Sequence, residues 1–188
     1  MRWVTILGSP RESGNTATVL GWIEEELEAL GHAVERINLT TQEIGGCTGC
    51  WACGEAVDEP GCILFDDAQA VFERMIGADG IVFSSPLYMW GFASQMKALL
   101  DRCACLVKGY GGADILSLVA GRRAALLVTC AGPVEENADL IVAAYRRFTE
   151  YTLLTPAGEL VVSGCGEPDQ LTEDVEERAV RFARGIVA

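Results

Sequence analysis

Residues 3–20 have the pattern of a buried strand, a polar loop and an amphipathic helix in succession. Residues 3–7 are rich in bulky and β-branched side chains, and Gly8, Pro10 and Gly14 then interrupt any regular structure. From residue 19 onward apolar side chains recur at helical spacing. Because the unpaired N–H groups and the dipole at a helix N-terminus favour an anion, the loop is a candidate anion site.

The composition of this loop suits a phosphate monoester. Hydroxyl and amide side chains surround a fixed positive charge, and the candidate residues are Ser9, Arg11, Ser13, Gly14, Asn15 and Thr16. The loop lacks the Gly-Lys-Ser/Thr ending of a P-loop and the G-x-G-x-x-G fingerprint of a dinucleotide site. An ordinary strand-to-helix turn capped by Ser, Asn or Thr is the alternative interpretation.

Beyond this loop, strand-like and helix-like segments alternate five times. Residues 3–7, 33–39, 78–85, 124–130 and 155–162 are predicted strands. The predicted helices cover residues 15–30, 68–76, 93–107, 135–151 and 172–186, the last starting at residue 169 or 172. The alternation predicts one α/β domain over residues 1–188, with a parallel five-stranded sheet and an irregular cysteine-rich insertion at about 40–65.

Composition and charge exclude several classes of protein. The chain of 188 residues carries a net charge of −13, which disfavours nucleic acid as a partner. It has no apolar run of about 18 residues that would span a membrane, and no signal-peptide pattern at its start. We therefore expect a cytoplasmic protein without a membrane partner. In that compartment eight cysteines argue against a disulfide framework.

A second polar and aromatic loop follows the third predicted strand at residues 84–91. Tyr88 and Trp90 supply flat apolar surface between Pro86 and Gly91, and packing over the sheet edge is the alternative use of such residues. In such sheets ligands bind outside the carboxyl ends of the strands, so this loop and residues 8–16 are expected to meet.

The two loops together resemble those of the NADPH-dependent FMN reductase family. The matching segments are Gly8-Ser9-Pro10-Arg11, Ser13-Gly14-Asn15-Thr16 and Ser85-Pro86-Leu87-Tyr88. The resemblance implies a flavodoxin-like three-layer sandwich with strand order 2-1-3-4-5 and an FMN phosphate on the first loop. It also implies flavin-ring contacts from the second loop, at Pro86, Leu87, Tyr88, Met89, Trp90 and Gly91.

Four cysteines in the insertion form a compact C-x2-C-x2-C-x8-C pattern at Cys47, Cys50, Cys53 and Cys62. Four thiolates suit a [4Fe–4S] cluster or zinc, and zinc sites more often show two C-x2-C pairs set well apart. The motif resembles that of the iron–sulfur flavoprotein branch of the same family. The alternative is a structural loop that packs near the flavin or at a dimer interface. The other four cysteines are interpreted as buried small hydrophobes.

The function that these patterns indicate is an FMN-dependent oxidoreductase. By resemblance, electrons pass from NAD(P)H to a quinone, another small acceptor or a redox partner, and the flavin carries the chemistry, so no catalytic side chain is assigned. An electron-transfer module without NAD(P)H oxidation and a cofactor-free relative remain as alternatives. The resemblance also implies a homodimer or a homotetramer.

Overall fold

The computed structural model describes residues 1–109 and 115–188. Five α-helices are present in the described ranges: α1 (Asn15–Ala29), α2 (Ala68–Gly77), α3 (Ser94–Arg102), α4 (Asp139–Tyr151) and α5 (Glu173–Val187). The same ranges contain eight strands: β1 (Arg2–Leu7), β2 (Ala33–Asn38), β3 (Gly80–Tyr88), β4 (Gly91–Phe92), β5 (Val107–Lys108), β6 (Leu116–Ser117), β7 (Arg123–Thr129) and β8 (Thr155–Val162).

The main sheet has the predicted topology. Five parallel strands lie in the order β2-β1-β3-β7-β8, and β4 pairs with β3 outside that path. Counting only the five parallel strands, this is the order 2-1-3-4-5. At the carboxyl end of β1, Leu7 pairs with Asn38 of β2 on one side and with Ser84 of β3 on the other. The flavodoxin-like α/β fold that the sequence indicated is therefore confirmed.

Helices cover both faces of the sheet, and strand alternation explains how. Along β1, Trp3 and Leu7 point into the core shared with α1 and α5, whereas Val4 and Ile6 point into the core shared with α2, α3 and α4. β7 divides its apolar side chains between the two cores in the same way. Strands buried on both faces need a continuous apolar run, which is why the sequence signal was strong.

The structure departs from the predicted boundaries at three places. β3 continues through Tyr88 and turns into a hairpin with β4, where a loop over 86–92 was predicted. α3 ends at Arg102, and a 3-10 turn (Cys103–Leu106) follows it. α4 begins at Asp139 rather than at residue 135, because Glu136 has a φ of 54° that an α-helix does not accept.

The connection that precedes β7 contains β6, which pairs antiparallel with β5. Residues 110–114 of this connection lie outside the described residues. Within the described part of the chain, no helix has both the length and the apolar character needed to cross a membrane.

A buried arginine at the end of α3 fastens the irregular segment before α2 to the core. The guanidinium of Arg102 is fully buried and its Nη1 donates to Asp66 Oδ2 at 2.5 Å. The same side chain donates to the carbonyl oxygens of Gly45 and Leu64, both at 3.2 Å. Asp66 in turn accepts from the N–H of Gly45 at 2.9 Å. One ion pair thus ties both ends of the cysteine-rich segment to α3.

We expect Arg102→Met to destabilise the fold by about 3 kcal/mol, because removing one partner leaves Asp66 partly buried without its cation. Lys97→Met is the matched control, since Lys97 lies on the same helix and pairs with Asp101 at 2.7 Å where both side chains are about half exposed. That exposed pair contributes little to stability. Urea unfolding followed by circular dichroism measures both variants, and equal losses would contradict this account of Arg102.

Candidate functional site

A cavity of about 140 Å³ opens at the carboxyl edge of the sheet, where the sequence places the two candidate loops. Its wall combines residues that follow β1, residues at the end of β3 and residues that follow β7 and β8. The lining residues are Arg11, Asn15, Pro86, Leu87, Tyr88, Thr129, Cys130, Ala131, Cys165 and Gly166. Five of the twelve predicted flavin-site residues thus share one cavity.

The loop after β1 is held against β3 by its backbone. The N–H of Gly8 donates to the carbonyl oxygen of Ser84 at 2.8 Å. A Cβ at residue 8 would lie 2.6 Å from the Cβ of Met96, so only glycine allows this approach. Ser9 Oγ then accepts from the N–H of Arg11 at 3.1 Å, which curls the loop toward α1.

The first turn of α1 has no side-chain cap and no acidic residue. Its N-cap is Gly14, and the neighbouring polar side chains are turned to other partners. Asn15 Nδ2 donates to Gly166 O at 2.7 Å, and the hydroxyls of Thr16 and Thr129 are 2.7 Å apart. The alternative of a turn capped by these side chains is therefore wrong, and the dipole and N–H groups of α1 are left to an anion.

Two polar groups of the cavity wall remain available to a ligand. Asn15 Oδ1 is buried and accepts no hydrogen bond from the described residues, so a ligand hydroxyl has an acceptor there. Arg11 is more than half exposed, and the one ion pair that it makes with the described residues is with Glu167 at 4.0 Å. Its guanidinium therefore keeps most of its donors free for a negatively charged group.

The hairpin of β3 and β4 presents the aromatic residues. Tyr88 pairs with Gly91, and the two residues between them, Met89 and Trp90, have φ values of 48° and 61°. Two positive φ values in a two-residue turn are typical of type I′, where Asn-Gly is the usual sequence. A methionine and a tryptophan in this conformation are strained, and such strain is common at functional sites. Both side chains are largely exposed.

The other predicted flavin-site residues do not line this cavity. This group comprises Ser9, Ser13, Gly14, Thr16, Met89, Trp90 and Gly91. Conversely, Cys165 and Gly166 line the cavity although the sequence analysis did not select them. Topology could have identified these two residues, because they follow β8, the strand next to β7, and so lie at the same edge of the sheet.

The four cysteines of the insertion line a second, smaller cavity of about 30 Å³. Leu64, Arg102, Ala104 and Cys105 complete its wall together with Thr48 and Trp51. In residues 1–109 and 115–188, no three His, Cys, Asp or Glu side chains are arranged to hold a metal ion. The four cysteines therefore line one cavity, but their sulfurs are not arranged as the ligands of a metal ion.

Several of these sulfurs accept hydrogen bonds, and one of the donors is the positively charged Arg102. Arg102 Nη2 donates to Cys62 Sγ at 3.3 Å, and the N–H of Gly49 donates to Cys47 Sγ at 3.5 Å. Hydrogen bonds from the Ala52 backbone and the Thr48 side chain lower the pKa of Cys50. Partial burial raises the pKa of Cys53, although the nearby Lys108 opposes the shift.

Cys105 is a fifth cysteine at this cavity. The sequence analysis interpreted it only as a buried small hydrophobe, and it is indeed 2% exposed, but its side chain also faces the other four. Burial, with repulsion from Cys62 and Cys53, raises the pKa of Cys105 to about 12. It is therefore a protonated thiol under neutral conditions. Its position depends on the 3-10 turn after α3, which the sequence pattern did not predict.

Comparison with known proteins gives these cavities a context. An iron–sulfur flavoprotein of Methanosarcina thermophila is 33% identical over 106 residues, 56% of this chain and 54% of that protein. One from Methanocaldococcus jannaschii is 37% identical over 113 residues, 58% of this chain and 55% of that protein. The chain spans about half the length of the curated relatives it matches.

Solved structures share the fold at low sequence identity. An FMN-dependent NADH-azoreductase from Bacillus anthracis, solved in complex with FMN, superposes with a TM-score of 0.72 at 16% identity over 100% of both chains. The model of the NADPH-dependent FMN reductase family matches residues 1–142. The curated proteins similar to this chain are named iron–sulfur flavoproteins. The chain therefore belongs to the NADPH-dependent FMN reductase family, whose model it matches.

Proposed function

We propose that this chain is an FMN-dependent oxidoreductase that takes electrons from NAD(P)H and passes them to a small acceptor, such as a quinone, or to a redox partner. The observation that carries the proposal is the composition of one cavity wall. Arg11 and Asn15 at the uncapped start of α1 share it with the apolar residues 86–88 of β3. A ligand with an anionic end and a flat apolar ring fits such a wall.

The proposed role of each residue follows from the hydrogen-bonding groups or the apolar surface that it offers to FMN. The N–H groups of α1 and the guanidinium of Arg11 would hold the FMN phosphate, and Asn15 Oδ1 would accept from a ribityl hydroxyl. Pro86, Leu87 and Tyr88 would bind and orient the flavin ring. When bound, FMN supplies acceptance and release of hydride, so the chain needs no acid or base of its own.

The relatives support this assignment through what their names state. The superposed azoreductase is named for FMN and NADH, and the curated relatives are named flavoproteins. Because the chain spans about half the length of those curated proteins, NAD(P)H as donor and a small molecule as acceptor are proposals for this chain. Met89 and Trp90 of the hairpin are exposed, and on that basis we propose a homodimer or homotetramer in which a second copy covers them and completes the site.

We propose further that Cys47, Cys50, Cys53 and Cys62 would hold a [4Fe–4S] cluster, which when bound would supply electron transfer toward the acceptor or partner. Four thiols on one cavity wall, with Arg102 and backbone N–H groups donating to sulfur, provide the ligands and the compensating positive charge. The loop is pinned by the buried Lys108, whose Nζ donates to Cys53 O and Pro60 O at 3.1 Å. Tetrathiolate zinc is the alternative occupant.

Arg11→Ala is expected to weaken FMN binding to the cofactor-free protein about tenfold, roughly 1.4 kcal/mol, because one charge-assisted interaction with phosphate is lost. Arg147→Ala is the control: it removes the same charge from an exposed side chain that pairs with Glu150 on α4. Quenching of FMN fluorescence on titration measures both affinities. Equal weakening in both variants would place the phosphate elsewhere, and recovery of FAD alone from purified protein would contradict the choice of cofactor.

The identity of the electron donor is tested by anaerobic mixing of the FMN-loaded protein with NADH or NADPH. We expect the visible absorption of the flavin to bleach with at least one of them. Dithionite is the control, because it reduces a bound flavin without a nicotinamide site. Bleaching by dithionite but by neither nucleotide would favour the electron-transfer module, and protein that binds no flavin would favour the cofactor-free alternative.

Cys50→Ser is expected to abolish assembly of the cluster while FMN binding persists, since a serine hydroxyl does not replace a thiolate on iron. Cys165→Ser is the control, because that cysteine lines the other cavity. Iron and acid-labile sulfide are measured after anaerobic reconstitution. Wild-type protein that takes up no stoichiometric iron and sulfide would overturn the cluster, and preferential retention of zinc would identify the alternative site.

A further inference from the structure

Two cysteines from neighbouring strands lie together in the wall of the larger cavity. Cys130 follows β7 directly, and Cys165 lies three residues beyond the end of β8. Both line the cavity that also contains Arg11 and Asn15. Neither belongs to the C-x2-C-x2-C-x8-C motif, and the proposed electron path does not use them.

The backbone sets the distance between these two residues. The N–H of Cys130 donates to Val162 O at 2.9 Å, and the N–H of Cys165 donates to Cys130 O at 3.0 Å. Gly164, between Val162 and Cys165, has a φ of 71°, a conformation that favours glycine. This direct backbone hydrogen bond places the two residues side by side, and a disulfide joins residues whose Cα atoms are roughly 4.4–6.8 Å apart.

The side chains are also suitably placed. Both residues line one cavity, and the two thiols are close enough that repulsion from Cys165 contributes to the raised pKa of Cys130. Each sulfur donates only a weak hydrogen bond of 3.4 Å, from Cys130 to Gly132 O and from Cys165 to Val162 O, so rotation about χ1 costs little. Cys165 is partly exposed whereas Cys130 is 5% exposed, which gives an outer and an inner thiol.

Both groups are thiols under neutral conditions. Burial raises the pKa of Cys130, and repulsion from Cys165 adds to this shift. Burial also raises the pKa of Cys165, although its backbone hydrogen bond and Arg178 oppose the shift. Two protonated thiols are slow nucleophiles, so the reduced pair persists until a disulfide of suitable reactivity reaches the cavity.

We propose that Cys130 and Cys165 form a reversible disulfide by exchange with a small-molecule disulfide of the glutathione class, and so constitute a redox-active pair in the cavity wall. The Cys165 sulfur, on losing its proton, attacks the small disulfide and releases one small thiol. The Cys130 sulfur then attacks Cys165 Sγ in the mixed disulfide and releases the second. Two protein S–H bonds are replaced by one S–S bond, and the two electrons and two protons leave on two small thiols.

This bond would act on the neighbouring loop. Gly166, next to Cys165, accepts from Asn15 Nδ2 at 2.7 Å, and Glu167 faces Arg11. Closing the disulfide would tie this loop to the end of β7 and so hold it against the start of α1. The pair is therefore placed to couple the thiol redox state to ligand binding at the cavity.

The chain offers a direct mass-spectrometric test, because trypsin separates the relevant cysteines. Peptide 124–146 contains only Cys130, peptide 148–178 contains only Cys165, and the four motif cysteines all lie in peptide 37–74. Wild-type protein is equilibrated with mixtures of oxidised and reduced glutathione, alkylated and digested. We expect the two peptides joined in more than half of the chains under oxidising mixtures, and separated again by dithiothreitol.

Cys165→Ser is the control, and it should yield peptide 124–146 only as the alkylated or glutathione-bound form. Recovery of both wild-type peptides unlinked across the whole series would overturn the proposal. So would linkage of peptide 124–146 to peptide 37–74 at a similar yield, because the pairing would then be non-specific. The assay uses the folded wild-type chain, so its result does not depend on whether a variant folds.

A second measurement distinguishes this proposal from the proposed FMN site. Saturating FMN should slow alkylation of Cys130 and Cys165 severalfold, because the ligand covers the wall that they share. Formation of the disulfide without protection by FMN would contradict the placement of FMN in this cavity and leave the pair intact. Protection by FMN without any disulfide under oxidising mixtures would contradict the redox pair and leave the FMN site intact.

Discussion

The pairing of β1 with β3 is the constraint on which the larger cavity depends. Parallel pairing ends at Leu7 and Ser84, and the N–H of Gly8 then extends the contact by one more hydrogen bond to Ser84 O. The absence of a Cβ at residue 8 makes this approach possible. As a result, the loop that leads into α1 and the final residues of β3 lie side by side. Polar residues from the start of α1 and apolar residues of β3 therefore line the same cavity.

The second cavity depends instead on a buried cation. The chain as a whole is strongly acidic, yet the segment with four cysteines is organised around Arg102, which contacts Asp66, two carbonyl oxygens and Cys62 Sγ. Partial burial by itself raises the pKa of Asp66, but hydrogen bonds from Arg102 and from the N–H groups of Gly45 and Ala68 bring it below its usual value. Arg102 thus places a buried positive charge against the carboxylate of Asp66 and Cys62 Sγ.

Cys50 of the motif and the pair Cys130 and Cys165 lie in environments that shift the pKa values of their thiols in opposite directions. Cys50 is exposed and its pKa is lowered by nearby hydrogen-bond donors, as expected for a residue that is to act as a thiolate. Cys130 and Cys165 have raised pKa values, as expected for a pair held as thiols. Cys53 of the motif also has a raised pKa, so the contrast lies between Cys50 and the pair Cys130 and Cys165.

The sequence by itself determined the order of strands and helices, the strand–loop–helix at the start and the compact cysteine motif, because each is recorded in local periodicity and spacing. Tertiary structure alone decided which of these residues meet. Three features cannot be recognised from residue spacing along the chain. They are the left-handed conformation of Met89 and Trp90, the contact of Arg102 with Cys62 across 40 residues, and the position of Cys165 beside Cys130. The physical reason is that such contacts are set by strand register and by the packing of distant segments, which local sequence does not encode.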